Sequence, residues 1–483
     1  MNTYKINDEQ YIAGHWIKGT STHVLKDMNP YTQELILEIH AASIVDVDSA
    51  YSAAQKSFIT WSETSTEQRK QLVLSVAEVV QTRREEIIEW LIQESGSTRL
   101  KSSLEVDAVL SIIQEAATFP QRMMDSKLKS LDPERSSWVY RKALGVIAVI
   151  SPWNFPFHLS MRSVISAIAI GNTVVLKPAS DTPITGGLLL AKIFEEAGLP
   201  HGVLSVVAGM GREIGDHFVE HDVPKLISFT GSTEVGKRVG QLAMASPHLK
   251  RLALELGGNA PLVVLEDADV DLAVELAVIG RFLHQGQICM STNRVIVDAR
   301  LYDHFIEKLI QRVALIEVGD PAQENTLIGP LINRAQVDKI KIMIAQAAQA
   351  GAKLIVQGEI KGNLVPPHIF VDVDPSSSLA TEESFGPVLP ILKAENEAHA
   401  LALANDTRFG LSSAVCTQDE ERGVRFALKI EAGMTHINAI TVADQANAPF
   451  GGEKNSGLGR FNGQWILEEF SRTHWVTRTK IKS

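Results

Sequence analysis

Three side chains in this sequence have the types and settings that acyl chemistry requires. Cys289 lies in the run Gln285-Gly-Gln-Ile-Cys-Met-Ser291, after an apolar helical stretch and before a β-rich one. A small, glycine-bearing loop can hold a thiol toward substrate, whereas most lone cysteines are inert core residues; the sequence leaves both readings open. Cys416, after the small apolar run Ser413–Val415, reads as core. Glu255 follows Leu252-Ala-Leu254 and precedes Leu256-Gly257-Gly258. A carboxylate ending a buried strand is costly to desolvate unless it has a use, either as a general base or as an acceptor for loop amides. Asn154, in Pro152-Trp-Asn-Phe-Pro156, can cap the following helix or donate its amide to an oxyanion.

Two glycine-rich stretches suggest a nucleotide, though neither matches a standard fingerprint. Gly231-Ser-Thr-Glu-Val-Gly236-Lys237 has Walker spacing, but Arg238 replaces the Ser or Thr that would hold magnesium. After Gly209-Met-Gly211, Ile214 takes the place of the third glycine and Gly215 comes one residue late. The first stretch follows a strand, Leu226–Phe229, and opens a helix near Ser232. Free amides and a positive helix end then lie where a phosphate can dock. A plain glycine turn is the alternative for both stretches. Lys177, ending the β-rich Thr173–Leu176, can cap a sheet edge or meet a nucleotide hydroxyl. His217 and His221 have the spacing of a zinc-binding pair, yet Phe218 replaces a metalloprotease's glutamate and no cysteine lies nearby. No metal site is expected.

The elements that must position these residues follow from hydrophobic period. Ser65 with Gln68 has capping-box spacing, and Leu72, Val73, Val76, Val79, Val80, Ile87 and Leu91 predict one helix from about Glu67 to Glu94, stopped by Gly96. A second helix is expected over Leu104–Phe119, closed by Pro120. From Gly145 strands and helices alternate: strands at Gly145–Ile150, Thr173–Leu176, Val203–Val207 and Leu226–Phe229, helices at Pro156–Ile170, Pro183–Ala197, Arg212–Val219 and Glu234–Met244. The alternation resumes with strands at Pro261–Leu265 and Arg294–Val297 and helices at Val270–Leu283 and Tyr302–Val313. Such a pattern predicts an α/β fold whose parallel sheets bind ligands at the carboxyl ends of their strands. Asp125–Ala143 and Phe470–Thr479 instead look like strands free to pair with another subunit or to cover a core edge.

Composition narrows the function classes. The chain has 483 residues, 45% hydrophobic and 21% charged, which excludes collagen, coiled coil and bulk disorder. At roughly 150 residues per domain, about three domains are expected. Its 46 basic and 57 acidic residues leave a net charge of −11 with no long like-charge run, so neither a nucleic-acid face nor a polybasic membrane patch is expected. Two cysteines exclude a disulfide framework. With a polar Met1–Gln10 and no apolar stretch of the ~18 residues a membrane span needs, a cytoplasmic location is expected.

Seven blocks in order resemble the aldehyde dehydrogenase superfamily: Pro152-Trp-Asn-Phe-Pro156, Lys177-Pro178, Phe229-Thr-Gly-Ser-Thr-Glu-Val-Gly236, Leu254-Glu-Leu-Gly-Gly258, Gly286-Gln-Ile-Cys289, Glu382-Glu-Ser-Phe-Gly-Pro387 and Pro449-Phe-Gly-Gly452. Three more, His284-Gln-Gly-Gln-Ile-Cys-Met290, Gly433-Met-Thr-His-Ile-Asn438 and Gly459-Arg-Phe-Asn-Gly-Gln-Trp465, are similar to its benzaldehyde and vanillin dehydrogenase branch, although Ala439 departs from the acidic residue often found there. The resemblance implies a Rossmann-like dinucleotide-binding domain (residues 1–124 and 144–255), an α/β catalytic domain (256–455) and a β-strand oligomerisation arm (125–143 and 470–480). It implies a homodimer or homotetramer acting on a small-molecule aldehyde.

By the same resemblance, Cys289 is the nucleophile, Asn154 and the Cys289 amide hold the oxyanion, and Glu255 activates the water that hydrolyses the thioester. Ile150, Trp153, Lys177, Ser180, Gly211, Gly215, Gly231 and Ser232 line the dinucleotide, with Glu383 on the nicotinamide-side ribose and Phe385 against the ring. Ser180 stands where strongly NAD-preferring relatives often carry glutamate, so NAD or NADP is expected, with NAD slightly favoured. Phe155, Leu159, Met290 and Phe450 are expected to wall an apolar slot suited to a flat ring. Arg162 either answers a substrate carboxylate or makes a structural ion pair. The alternatives are an aliphatic or semialdehyde dehydrogenase, a cysteine hydrolase or esterase without redox chemistry, a binding protein that has lost catalysis, and a P-loop NTPase.

Overall fold

Continuous apolar runs become strands buried on both faces. The computed structural model, which describes residues 3–479, places Leu204–Val206, Thr173–Lys177, Val146–Ile150, Leu226–Thr230 and Arg251–Glu255 side by side and parallel, in that spatial order. Chain order reverses between Val146–Ile150 and Leu226–Thr230, the place where such sheets open a crevice at their carboxyl edge. The edges are antiparallel: the hairpin Gln10–Ile12 and His15–Ile17 joins on one side, and the late strand Gly457–Leu458 pairs with Leu254 and Glu255 on the other. Neither edge strand figured in the sequence reading.

A second sheet carries, in order, Lys353–Val356, His368–Val371, Val388–Ala394, Thr292–Asp298, Ala260–Val264, Ala414–Cys416 and His436–Ile437. All its pairings are parallel except the one between Lys353–Val356 and His368–Val371. Cys416 is buried in it, as expected of a core residue. The two strand-like pieces form a third sheet: Arg135–Ala143 lies between Ser126–Leu128 and Ser471–Thr479, with register running from Ser471 opposite Ala143 to Thr479 opposite Arg135. Lys480, the last residue of the expected arm, lies outside the described residues.

Two helix expectations need correction. The stretch from Glu67 to Glu94 is two helices, Thr66–Thr82 and Arg84–Ser95, broken at Arg83. The Arg83 side chain bonds Glu86 and Glu196 and covers the Tyr4 ring, so tertiary contacts override a good helix former. The Ser65 capping box and the left-handed Gly96 stop are both present. Pro120 does not close the next helix. Arg99–Ala116 ends earlier, and Pro120 sits in the opening turn of the short helix Phe119–Arg122, where its missing N–H costs nothing. Among the described residues no helix is long and apolar enough to cross a membrane.

Candidate active site

The carboxyl ends of the parallel strands align the predicted residues. Ile150 is in register with Lys177 and with Phe229, and Thr230 with Glu255. After Thr230 the chain turns through Gly231 into the helix Thr233–Ala245, capped by Ser232, whose side chain accepts from the Val235 amide at 3.3 Å. Gly211 opens the helix Gly211–Glu220, and a side chain on Gly211 or Gly215 would meet nothing, leaving that surface open to close approach. Lys177 is buried, and its ammonium has Pro178 O at 3.3 Å as acceptor. Burial pulls this ammonium down to about 8. An ammonium carries three donors, so capacity remains for a hydroxyl. Ser180 is exposed three residues further on.

A cavity of about 310 Å³ faces this edge and is lined by Trp153, Asn154, Leu159, Gly231, Ser232 and Cys289. Glu383 and Phe385 complete it, with the Phe385 ring edge-on to Trp153 at 5.4 Å. The Glu383 carboxylate accepts from the Gly258 amide at 2.9 Å, and burial raises it to about 7. Trp153, Gly231, Ser232, Glu383 and Phe385, expected around one dinucleotide, therefore share a cavity with the thiol. Ile150 and Lys177 lie in register at the strand ends beside it. A helix N-terminus, a cation with spare donors and an aromatic pair fit a dinucleotide. The helix Arg334–Gln349 adds Gln336 and Lys339 to the wall, which the sequence reading missed. Asn333 as N-cap and the spacing of Val337, Ile340 and Ile344 were its available signals.

Cys289 is held by an unusual turn. His284, Gln285 and Gly286 take φ of 50°, 58° and 74°, three successive left-handed residues. Each non-glycine residue there costs about 1–2 kcal/mol, so the segment needs support. Gln285 Nε2 donates to Pro330 O at 2.8 Å and Gly96 O at 3.2 Å, and Gln287 Oε1 accepts from the Ile332 amide at 3.0 Å. Beneath the loop, a methyl group on Gly258 would lie 2.1 Å from the Cys289 carbonyl oxygen. Gly258→Ala must therefore push the thiol loop away. We expect a loss of about 1–3 kcal/mol, read by denaturant unfolding, together with a large fall in turnover.

Asn154 Nδ2 donates to Gln287 O at 2.9 Å, tying the amide to the cysteine loop and leaving its second hydrogen available. It does not cap the helix Pro156–Ile170, which has no side-chain cap of its own. Glu255 is buried, and neither carboxylate oxygen has a protein partner. The alternative of bonds to loop amides therefore fails. Burial raises the carboxyl to about 8. The Cys289 thiol is pushed well above its ordinary range, first by burial and then by the nearby Glu255 and Glu383 carboxylates.

Leu159 lines the cavity, while Phe155, Met290 and Phe450 pack in the hydrophobic cluster against which Cys289 rests. Arg162 is fully buried between the Phe450 and Phe461 rings, 3.8 Å from Asp444, and its three guanidinium nitrogens make no hydrogen bond, so the ion pair and the substrate-carboxylate readings both stand. His217 and His221 are joined by Asp48 from another helix, with His217 Nε2 2.6 Å from its carboxylate. The Val223 amide donates to His221 Nδ1 at 3.2 Å, leaving the ring proton on Nε2, the atom that faces Asp48. The ligand atoms of Asp48, His217 and His221 lie within 4.8 Å of one another. Arg238, the residue that spoils the Walker spacing, pairs with Asp216.

The profile of the aldehyde dehydrogenase family matches residues 16–476. A vanillin dehydrogenase of Corynebacterium glutamicum is 54% identical over 465 residues, 96% of each chain. A benzaldehyde dehydrogenase of Bacillus subtilis is 48% identical over 477 residues, covering 99% of this chain and 98% of that one. The crystal structure of an NAD-dependent benzaldehyde dehydrogenase from Corynebacterium glutamicum superposes with a TM-score of 0.92 at 50% identity, covering 99% of this chain and 98% of the other. This chain belongs to the aldehyde dehydrogenase family. It is an NAD(P)-dependent enzyme that oxidises an aldehyde.

Proposed function

We propose that the enzyme oxidises aromatic aldehydes of the benzaldehyde and vanillin type to carboxylic acids, with NAD as the preferred cofactor. The observation that carries this reading is one cavity holding the Cys289 thiol and the Asn154 amide beside an unpartnered Glu255. Cys289 releases its proton to solvent and adds as thiolate to the aldehyde carbon, whose C=O π pair becomes the oxyanion; the Asn154 side chain and the Cys289 amide stabilise it, donors of a kind typically worth about 3–4 kcal/mol each. The bound nicotinamide would supply the hydride acceptor. Glu255 then takes a proton from the water that cleaves the Cys289 thioester. Ile150, Trp153, Lys177, Ser180, Gly211, Gly215, Gly231 and Ser232 would line the dinucleotide, with Glu383 on the nicotinamide-side ribose and Phe385 against the ring.

The aromatic reading is supported by relatives named for benzaldehyde and vanillin, by Leu159 on the cavity wall, and by Phe155, Met290 and Phe450 in the apolar cluster against which Cys289 packs. Arg162 is fully buried and stacked between the Phe450 and Phe461 rings, so an acid semialdehyde has to pass an aromatic face to reach it. A panel of aromatic, aliphatic and semialdehyde substrates tests this by growth of reduced-nicotinamide absorbance. Benzaldehyde is expected to give the highest kcat/KM, and a semialdehyde preference would overturn the reading. The division of labour follows the three segments: residues 1–124 and 144–255 bind the dinucleotide, 256–455 carry the nucleophile, and 125–143 with 470–480 pair subunits in a cytoplasmic homodimer or homotetramer.

Cofactor choice is a separate expectation. An exposed serine at position 180 presents no charge to repel a 2′-phosphate. Ser180→Glu is expected to lower kcat/KM for NADP by about tenfold or more while NAD changes less than about threefold, because a like charge is costly only to the phosphorylated ribose. Equal changes for both cofactors would show that Ser180 lies away from the ribose.

A further inference from the structure

The helix Arg99–Ala116 carries a buried ion pair that none of the steps above uses. Lys101 and Glu105 are one turn apart, and both side chains are fully buried. The Lys101 ammonium reaches Glu105 Oε2 at 2.5 Å, Ser97 Oγ at 2.9 Å and the main-chain oxygen of Asn154 at 2.8 Å. It also lies 4.1 Å from the centre of the Phe155 ring. The other Glu105 oxygen accepts from the amides of Phe157 and His158, both at 3.0 Å. These are free amides in the first turn of the helix Pro156–Ile170, which has no side-chain cap of its own. One pair thus grips the Asn154 segment on both sides, at the residue's own carbonyl and at the helix start just after it.

A buried ion pair is an expensive way to join two helices, and apolar residues of similar volume often do as well. What apolar packing cannot do is fix a carbonyl oxygen and two amide hydrogens at set distances. We propose that Lys101 and Glu105 are positioning residues that set the Asn154 side-chain amide for the oxyanion. The proposal rests on the oxyanion role of Asn154 given above. With its main chain clamped, Asn154 has only its own side-chain rotations left, and the bond from Nδ2 to Gln287 O selects among them. The pair acts through Asn154 and touches no reacting atom.

The test is a double-mutant cycle read in the first turnover with benzaldehyde and NAD, where appearance of reduced cofactor reports the steps that form and collapse the oxyanion. Lys101→Met combined with Glu105→Gln removes both charges, so no orphaned ion penalises folding. This variant is expected to slow the first turnover by about 10- to 100-fold, the size of effect a misplaced catalytic group produces. The aldehyde KM is expected to change by less than about threefold. In an Asn154→Ala background the same two substitutions are expected to slow it by less than about twofold further. A merely structural role predicts the same loss in both backgrounds, and that result would overturn the proposal, as would an unchanged first turnover in the paired variant. Should the paired variant not fold, Glu105→Gln alone carries the same cycle with an expected loss of about threefold or more. If Asn154→Ala itself turns over at the normal rate, the oxyanion assignment falls and the proposal with it. If Asn154→Ala is slow and the paired variant is not, the proposal alone falls.

Discussion

Replacing Cys289 by alanine is expected to abolish aldehyde oxidation, by about 10⁴-fold or more, while the protein folds and still binds its cofactor. The magnitude follows from the loss of covalent catalysis: without the thiol no bond holds the aldehyde carbon tetrahedral beside the oxyanion donors, and binding alone leaves only a small residual rate. The exchange is small in volume, and the Cys289 carbonyl still rests against Gly258, so the loop keeps its supports. Cofactor binding, read by quenching of protein fluorescence, separates loss of chemistry from loss of fold. Retention of dehydrogenase activity by the variant would eliminate Cys289 as the nucleophile.

For Glu255→Gln a different kinetic shape is expected. The first turnover should persist, giving a burst of reduced cofactor, and steady-state turnover should then fall by about 10²- to 10⁴-fold because no base deprotonates the hydrolytic water. Glutamine matches the shape of glutamate and adds no charge, so a buried position whose oxygens have no partners should accept it. The pH profile gives a second readout. Burial raises the Glu255 carboxyl to about 8, so the group is mostly protonated at neutral pH and becomes a base as pH rises. Turnover limited by hydrolysis should therefore increase through about pH 8 and then level off, and this limb should vanish in Glu255→Gln. Folding carries the opposite sign. The folded protein keeps this proton between the ordinary carboxyl range and about 8, where an unfolded chain has lost it. The contribution of this group to stability is thus present at acid pH and declines as pH rises through that window. A burst followed by unchanged turnover would point to another base.

Much of the nucleotide side of the site was legible because its signals are local. Apolar runs ending at Ile150, Lys177, Phe229 and Glu255 mark strands, and in a parallel sheet their carboxyl ends must share an edge. Glycine with serine at Gly231–Ser232 marks a helix start, and the helix Pro156–Ile170 has the bounds its pattern predicted. Other features depend on partners far along the chain. The Lys101 contact to Asn154 spans 53 residues, and Gln285 reaches Gly96 across 189. Nothing around Lys101 in the sequence says that its charge is buried. The break at Arg83 is equally invisible locally, since Glu196 and Tyr4 that hold it lie in other elements. The left-handed run at His284 and Gln285 contradicts the preferences of both residues and is imposed by the carbonyls of Gly96 and Pro330 and the amide of Ile332.

The strand pairing of Glu255 with Gly457 has a mechanical corollary. The chain leaves the first sheet just after Glu255, builds the second, and comes back through Gly457, so two main-chain crossings fall at adjacent points. The Cys289 loop is fastened to the same frame by Asn154 Nδ2 on Gln287 O and by Gln285 Nε2 on Gly96 O, so base and sulfur are anchored to one shared frame through backbone carbonyls.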